Sequence, residues 1–251
     1  MHSPVVLVAA GFLVALICTP AGVSGAFLLL PLQVTVLGLA SSSVTASNFL
    51  FNVVSTPGGI ARHRREGRLD RRLAGLVISG ALPGVIVGAV LRASVFRSPT
   101  AFKAFVGVVL IALAGKLLFD VWTRSEERAT DRAASTRMIV AVSAAVGVVC
   151  GIYGIGGGSI LAPFLVAMAG LSAYRVSGAA LVATFVTSVA GVAMLLLLGL
   201  GPDWKVGLFL GIGGLAGSYL GAALQPRVPE ARLRVLIAGL AGAAGIGYLV
   251  S

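Results

Sequence analysis

The chain has 251 residues, of which 58% are hydrophobic and only 11% are charged. Soluble domains carry about 25% charged residues, so these charges are too few to solvate a soluble core. The formal charge of +11 lies mostly in short segments between apolar runs and without interleaved aromatic residues, which argues against nucleic-acid binding. Several apolar stretches exceed the roughly 18 residues that identify a membrane span, and the mean hydropathy is +1.04. Composition therefore predicts an all-α integral membrane protein.

The first half of the chain predicts a broken hairpin of two short helices, followed by three longer helices. The predicted helices cover residues 4–19, 24–38, 44–61, 73–91 and 100–121. A helix of about 15 residues is about 22 Å long, which is shorter than a hydrocarbon core of about 30 Å. The two short helices therefore either re-enter the membrane or form thin spans. A signal peptide is not expected, because no Lys or Arg precedes the first apolar run.

The second half repeats this series at an offset of 132 residues. Its predicted helices cover residues 138–151, 157–170, 176–199, 205–224 and 233–250. Matched pairs in this register are Gly22 with Gly154, Gly25 with Gly157, Pro31 with Pro163, Gly59 with Gly191 and Cys18 with Cys150. With a one-residue gap, Gly84-x3-Gly88 matches Gly217-x3-Gly221. We therefore predict two structural repeats, residues 1–121 and 138–251, joined by a cytoplasmic linker at 122–137.

The charges of the loops predict that the second repeat is inverted relative to the first. Six arginines lie in segment 62–72, so this segment is expected on the cytoplasmic side. The linker and segment 225–234 are also basic, whereas segment 200–205, which corresponds to 62–72, has Lys205 as its only positive residue. Both chain termini are then expected outside. Inverted repeats with broken helices are typical of secondary transporters, whose substrate site lies near the bilayer midplane.

The glycine-rich break of the second repeat, residues 151–159, indicates an anion site. Its glycines leave backbone N–H groups uncovered at the start of a short helix, where the macrodipole adds partial positive charge. A matching break occurs in the first repeat, so two helix N-termini would face one anion. The candidate backbone donors are Gly22, Ser24, Gly25, Gly154, Gly156, Gly157 and Gly158. The alternative is close helix packing through small residues, which needs no ligand.

Polar residues form a stripe on the helix that follows each break. In the first repeat the stripe consists of Thr45, Asn48, Asn52 and Ser55 or Thr56, and in the second of Ser177, Thr184 and Thr187 or Ser188. An asparagine within a membrane span is costly without a partner, so the stripes are expected to face the interior. The candidate side-chain donors to an anion are Asn48, Asn52, Thr184 and Thr187. Hydrogen bonding between helices without a ligand is the alternative.

The two cysteines flank the breaks at matched positions, Cys18 and Cys150. A buried free cysteine usually behaves as a small apolar residue, and we expect this role rather than a disulfide. No acidic residue lies in the middle of a predicted span. A proton relay through a mid-membrane carboxylate is therefore not expected.

The motif Gly154-x-Gly156-Gly157-Gly158-x4-Pro163 resembles the signature of the sulfite exporter TauE/SafE family of membrane permeases. The first repeat is similar in its motif Gly22-x-Ser24-Gly25-x5-Pro31 and in Ser47-Asn48 and Pro57-Gly58-Gly59. The resemblance extends over essentially the whole chain. It implies a multi-pass protein of a bacterial inner membrane that transports sulfite, thiosulfate, sulfoacetate or other organosulfonates. The first repeat has Ser24 and Ala26 where the second has Gly156 and Gly158, so equal roles for the two breaks are not implied.

Three other functions are compatible with part of the pattern. Gly22-Val-Ser24-Gly25 fits the G-x-S-G pattern of rhomboid proteases, but the two histidines, His2 and His63, lie outside the predicted spans and offer no general base. A passive anion channel of the aquaporin type also uses paired half-helices, although the Asn-Pro-Ala signature is missing. A non-transporting membrane assembly protein is the third alternative.

We therefore predict a membrane transporter, not an enzyme, which moves a small sulfur-containing anion by alternating access between the repeats. Its expected partners are the anion and the lipid bilayer, and neither a cofactor nor a metal is expected. The sequence leaves open the substrate, the direction of transport, the coupling ion and the oligomeric state, a homodimer included.

Overall fold

The computed structural model describes residues 3–33, 43–123, 135–158, 161, 165 and 173–250, and no strand occurs in these ranges. The α-helices are α1 (Pro4–Cys18), α2 (Ala26–Pro31), α3 (Val44–Arg65), α4 (Arg71–Ser94), α5 (Pro99–Thr123), α6 (Thr136–Tyr153), α7 (Ala173–Leu197), α8 (Trp204–Leu224) and α9 (Glu230–Val250). Short 3-10 turns follow α1 at Thr19–Ala21 and α8 at Gln225–Arg227. The predicted all-helical fold is confirmed.

Some predicted elements lie outside the described residues. These are residues 34–38 of the second short helix, residues 124–134 of the linker, and most of the predicted helix 157–170, including Pro163. In the described part, α1 has 15 residues and α6 has 18. α1 therefore has the predicted short length, whereas the length of α6 is closer to that of the longer helices.

The helices differ from their predicted bounds mainly at charged ends. α3 continues to Arg65, so the first four residues of the basic segment 62–72 are helical. Positive side chains in a last helical turn interact favourably with the macrodipole. Asp70 and Asp203 cap α4 and α8, because each carboxylate accepts a backbone N–H three residues further on, from Leu73 at 2.9 Å and from Val206 at 3.0 Å. The two caps lie at matched positions of the predicted repeats.

Several helices are suited to cross a membrane. Within the described residues, four segments are long and apolar enough: Arg71–Ser94, Thr136–Tyr153, Val176–Leu197 and Trp204–Arg227. Two further helices, α5 and α9, have 25 and 21 residues. A helix of about 20 residues spans the hydrocarbon core. Helix length and composition therefore indicate a multi-pass membrane protein.

Two seams of glycine hold helices of different repeats in backbone contact. On α4, a Cβ at Gly80, Gly84 or Gly88 would lie 2.2, 2.3 or 2.2 Å from the carbonyl oxygen of Val140, Ala144 or Val148 on α6. On α8, a Cβ at Gly213, Gly217 or Gly221 would lie 1.9, 2.3 or 3.0 Å from the carbonyl oxygen of Val8, Phe12 or Leu16 on α1. Such distances leave no room for a side chain, and small residues allow this approach in membrane helices. The pairs correspond position by position between the predicted repeats.

The matched helices α3 and α7 cross each other in opposite directions. A Cβ at Gly59 would lie 2.8 Å from Leu181 Cδ1, and a Cβ at Gly191 would lie 2.7 Å from Phe49 Cε2. The late part of each helix therefore meets the early part of the other, so the two helices run antiparallel. This is consistent with inverted repeats. The boundaries at 1–121 and 138–251 stay a prediction.

The helix packing groups elements of both repeats into two bundles. In the first bundle, α1 and α3 pack on α8; in the second bundle, α6 and α7 pack on α4. The first bundle thus takes one helix from the second repeat, and the second bundle takes one from the first. The bundles meet where α3 packs against α7. The remaining long helices, α5 and α9, pack against each other.

Inverted repeats predict that Arg64 and Lys205 lie on opposite sides of the membrane. Both side chains are exposed, so a cysteine at either position can react with a reagent in solution. In a background of Cys18→Ser and Cys150→Ser, a membrane-impermeant maleimide added to intact cells should label Lys205→Cys and not Arg64→Cys. Lysed cells, in which both cysteines should react, provide the control. Equal labelling of both positions in intact cells would rule out the inversion.

Candidate functional site

The two breaks have matching backbone conformations. Gly22 and Gly154 have φ angles of +73° and +91°, in the left-handed region that glycine adopts readily. The backbone N–H of Val23 donates to the carbonyl of Cys18 at 3.3 Å, and that of Ile155 donates to the carbonyl of Cys150 at 3.2 Å. Left-handed glycines thus cap the 3-10 turn that follows α1 and the end of α6.

The N–H groups of the two capping glycines are already used by the protein. The N–H of Gly22 donates to the carbonyl of Thr19 at 2.9 Å, and the N–H of Gly154 donates to the carbonyl of Cys150 at 2.8 Å. Both cysteines are buried free thiols. Gly22 and Gly154 therefore shape the breaks, and an anion would have to bind other donors.

The structure brings the breaks into contact with each other and with α3. The hydroxyl of Tyr153, within the second break, donates to the carbonyl of Phe27, just after the first, at 2.9 Å. Their rings stack with centroids 6.4 Å apart. Gly154 lies against the start of α3, since a Cβ there would lie 2.6 Å from the carbonyl oxygen of Thr45. The two breaks and the first polar stripe thus form one region.

The first half of this region is a buried polar cluster, which we call the asparagine cluster: Ser24, Gln33, Asn48 and Asn52. The hydroxyl of Ser24 donates to Oδ1 of Asn52 at 2.5 Å and accepts the backbone N–H of Ala26 at 3.2 Å. Nε2 of Gln33 donates to Oδ1 of Asn48 at 3.0 Å. Asn48 and Asn52 are one helical turn apart, so they share a face of α3. The cluster therefore joins the first break to the polar stripe.

The asparagine cluster contains two buried side-chain donors and one buried acceptor that the described residues do not satisfy. Within the described part of the chain, Nδ2 of Asn48, Nδ2 of Asn52 and Oε1 of Gln33 have no hydrogen-bond partner. The backbone N–H groups of Ser24 and Gly25 likewise show no bond to a described residue. An unsatisfied buried polar group costs about 1–3 kcal/mol, and most buried groups are paired. The cluster can therefore donate several hydrogen bonds to a ligand.

The second half of the region is more completely satisfied. The backbone N–H of Gly157 donates to Oγ1 of Thr187 at 2.8 Å, and this hydroxyl donates to the carbonyl of Ala183 at 2.6 Å. Thr187 and the Gly157 amide therefore bind each other. A Cβ at Gly158 would lie 2.0 Å from the carbonyl oxygen of Ala180, which is the close packing that the alternative interpretation expects.

Gly156 lies directly on the second polar stripe. Its φ is +73°, and a Cβ there would lie 2.6 Å from Oγ of Ser188 and 2.8 Å from Cγ2 of Thr184. Oγ of Ser188 is buried and has no partner among the described residues. Position 156 corresponds to Ser24, and position 184 corresponds to Asn52. The first repeat thus presents a Ser–Asn pair where the second presents Gly156 and Thr184.

Two site residues were missed by the sequence analysis. Gln33 has a signal that could have found it, because it is a polar residue inside the apolar run 24–38. Arg92 directly follows the predicted helix 73–91, but in the structure it lies in the last turn of α4 and is only 3% exposed. Its Nε donates to Oγ1 of Thr45 at 3.1 Å. No local pattern distinguishes it from the exposed Arg97 that follows.

None of the described acidic side chains belongs to the asparagine cluster. Glu66, Asp70 and Asp203 all lie at helix ends, and none bonds to the cluster. His63 lies on α3, 11 residues after Asn52, which is about 16 Å along the helix. The Ser24 hydroxyl donates to the amide oxygen of Asn52 instead. Among the described residues, Ser24 therefore has no hydrogen bond to the base that a serine protease needs.

Comparison with known proteins identifies the family of the chain. A family profile described as "Sulfite exporter TauE/SafE" matches residues 7–248 of the 251. The comparisons with curated proteins and with solved structures found no match. The chain therefore belongs to the sulfite exporter TauE/SafE family, and it is a multi-pass membrane transporter of that type.

Proposed function

We propose that the protein carries a small sulfur-containing oxyanion or organosulfonate across the membrane at the region where the two breaks meet. Asn48, Asn52, Ser24 and Gly25 supply hydrogen bonds from the first repeat. Thr184, Ser188 and Gly156 line the opposite side. When fully deprotonated, sulfite, thiosulfate and the sulfonates present several acceptor oxygens and no donor, so they complement a site that is rich in donors.

The observation that carries this proposal is the pair of unsatisfied amide nitrogens on α3. The Nδ2 groups of Asn48 and Asn52 are buried on one helical face and have no partner in the described part of the chain. Hydrogen bonds to charged groups contribute about 1.5–3 kcal/mol each. Neutral donors bind an anion without adding a fixed charge to the membrane interior, where a charge is costly.

Alternating access would use the two bundles as the moving bodies. The glycine seams fix α1 to α8 and α4 to α6 through backbone contact, so each bundle is expected to move as a unit. The bundles meet at the crossing of α3 and α7. The four side-chain candidates are all buried: Asn48, Asn52, Thr184 and Thr187. An anion from one side of the membrane therefore reaches them only when the bundles separate on that side.

Flux measurements on the purified protein in proteoliposomes test the proposal. We expect saturable uptake of radiolabelled sulfite, thiosulfate or sulfoacetate, and faster uptake when the same unlabelled anion is loaded inside. Such counterflow requires a site that faces one side at a time. Liposomes without protein give the background.

Two outcomes would count against the proposal. A flux that rises linearly with concentration and shows no counterflow would indicate a passive channel. No flux of any of the three anions, from protein that unfolds cooperatively, would favour a non-transporting membrane protein.

A further inference from the structure

Arg92 is a buried cation at the junction of the two bundles. It lies at the end of α4 in the second bundle, and its Nε donates to Oγ1 of Thr45 at the start of α3 in the first bundle. Its Nη1 donates to the carbonyl of Phe96, and its guanidinium lies 4.1 Å above the ring centroid of Phe102. Arg92 is 21 residues after Arg71, or about 31 Å along α4, at the end that is predicted to face outside.

No described acidic side chain forms an ion pair with Arg92. Among the described residues, the ion pairs join Arg62 and Arg68 to Glu66, and none includes Arg92. A guanidinium has five N–H donors, and the bonds to Thr45 and Phe96 use two of them. A buried charge is normally paired, because its removal from water is expensive. Arg92 can therefore bind an anion with three remaining donors.

The matched position in the second repeat has a different residue. Gln225, directly after α8, corresponds to Arg92 at the end of α4. Its Nε2 donates to Oγ of Ser177, the counterpart of Thr45, at 3.0 Å. A hydrogen bond between the bundles thus occurs at both matched positions, from Arg92 to Thr45 and from Gln225 to Ser177. At the Gln225 end, Arg68 donates to Oε1 of Gln225 at 3.2 Å, but it is paired with Glu66. The buried cation without an ion pair among the described residues occurs at the Arg92 end.

We infer that Arg92 is the docking residue for the transported anion at the predicted outer end of the pathway. This inference rests on the proposed function. When the bundles separate at this end, the bond from Arg92 to Thr45 breaks, and an oxyanion replaces the threonine hydroxyl as the acceptor. Thr45 contacts Gly154 of the second break, so the docked anion lies at the entrance to the asparagine cluster.

Binding measurements with Arg92→Gln test the inference, because glutamine is the residue at the matched position. The probes are sulfite, thiosulfate and sulfoacetate, titrated calorimetrically into detergent-purified protein. For the anion that the wild type binds most tightly, we expect Arg92→Gln to raise the Kd about 10- to 150-fold, the range for a lost hydrogen bond to a charged group. Arg97→Gln is the matched control: it removes the same charge from an exposed side chain nearby and should change the Kd less than about 2-fold.

The outcomes separate this inference from the proposed function. If the wild type binds an anion and Arg92→Gln binds it equally well, the docking role is wrong while the proposed function stands. If the wild type binds none of the three anions, both are wrong. Should Arg92→Gln not fold, Arg92→Lys carries the test, since lysine keeps the charge but loses the planar fork. We then expect at least about 3-fold weaker binding, and an unchanged Kd contradicts the inference.

Discussion

Gly84→Leu is expected to destabilise the protein by about 3 kcal/mol, at the upper end of the usual cost of overpacking. A Cβ at position 84 would lie 2.3 Å from the carbonyl oxygen of Ala144 and 3.0 Å from Cα of Gly147. Backbone atoms cannot move aside as a flexible side chain can, so α4 and α6 must separate along the whole seam. Thermal unfolding in detergent, followed by tryptophan fluorescence and size-exclusion chromatography, measures the effect.

Gly75→Leu is the control for this prediction. Gly75 lies on the same helix, is exposed, and has nothing within 4 Å of the position of its Cβ. Its substitution should change the stability by less than about 0.5 kcal/mol. If Gly84→Leu unfolds at the same temperature as Gly75→Leu, the seam does not hold the second bundle together.

Gly217→Leu extends the test to the first bundle. Its Cβ would lie 2.3 Å from the carbonyl oxygen of Phe12, the same distance as at the matched position in the other seam. We expect a loss of stability similar to that of Gly84→Leu. A large effect of one substitution and none of the other would show that the two seams are not equivalent.

The seams illustrate how far the sequence could predict the fold. The matched motifs Gly84-x3-Gly88 and Gly217-x3-Gly221 indicated a duplication. Their partners could not be predicted, because Ala144 and Phe12 carry no signal for contact and the seam uses their backbone carbonyls. The grouping of α8 with α1 and of α4 with α6 therefore required the tertiary structure.

The candidate site, like the fold, could be predicted from the sequence only in part. The breaks and stripes were recognised from glycines and from asparagines in apolar runs, and the structure brings Asn52 next to Ser24. The sequence indicates the backbone amides of both breaks as candidate donors. It could not reveal that the amide of Gly157 is already bonded to Thr187, since this depends on the approach of a distant helix. Nor could it show the burial of Arg92, whose matched residue is an uncharged glutamine.

We expect the first repeat to bind the anion more strongly than the second. Asn52 keeps an amide nitrogen without a partner, whereas the second break already uses the amide of Gly157 on Thr187. Substitutions in the asparagine cluster should therefore affect transport more than the matched changes in the second repeat.

Asn52→Leu is expected to raise the half-saturation concentration for the transported anion about 10- to 150-fold, because it removes one hydrogen bond to a charged ligand. Uptake decides between the two interpretations of the polar stripe. Leucine removes the unpaired Nδ2, but it also removes the acceptor of the Ser24 hydroxyl, so the effects on stability oppose each other and do not separate the two roles. Uptake into proteoliposomes and thermal unfolding, measured on the same preparation, give both quantities.

A purely structural role of Asn52 predicts a different result for uptake. If Asn52 only joins α3 to the first break through Ser24, Asn52→Leu leaves the half-saturation concentration of the folded fraction unchanged. Ser79→Ala controls for loss of a polar group, since this exposed hydroxyl bonds only within its own helix, to the carbonyl of Leu76. Adding Asn48→Leu to Asn52→Leu should reduce uptake to the background of protein-free liposomes, because both unsatisfied amide nitrogens are then gone.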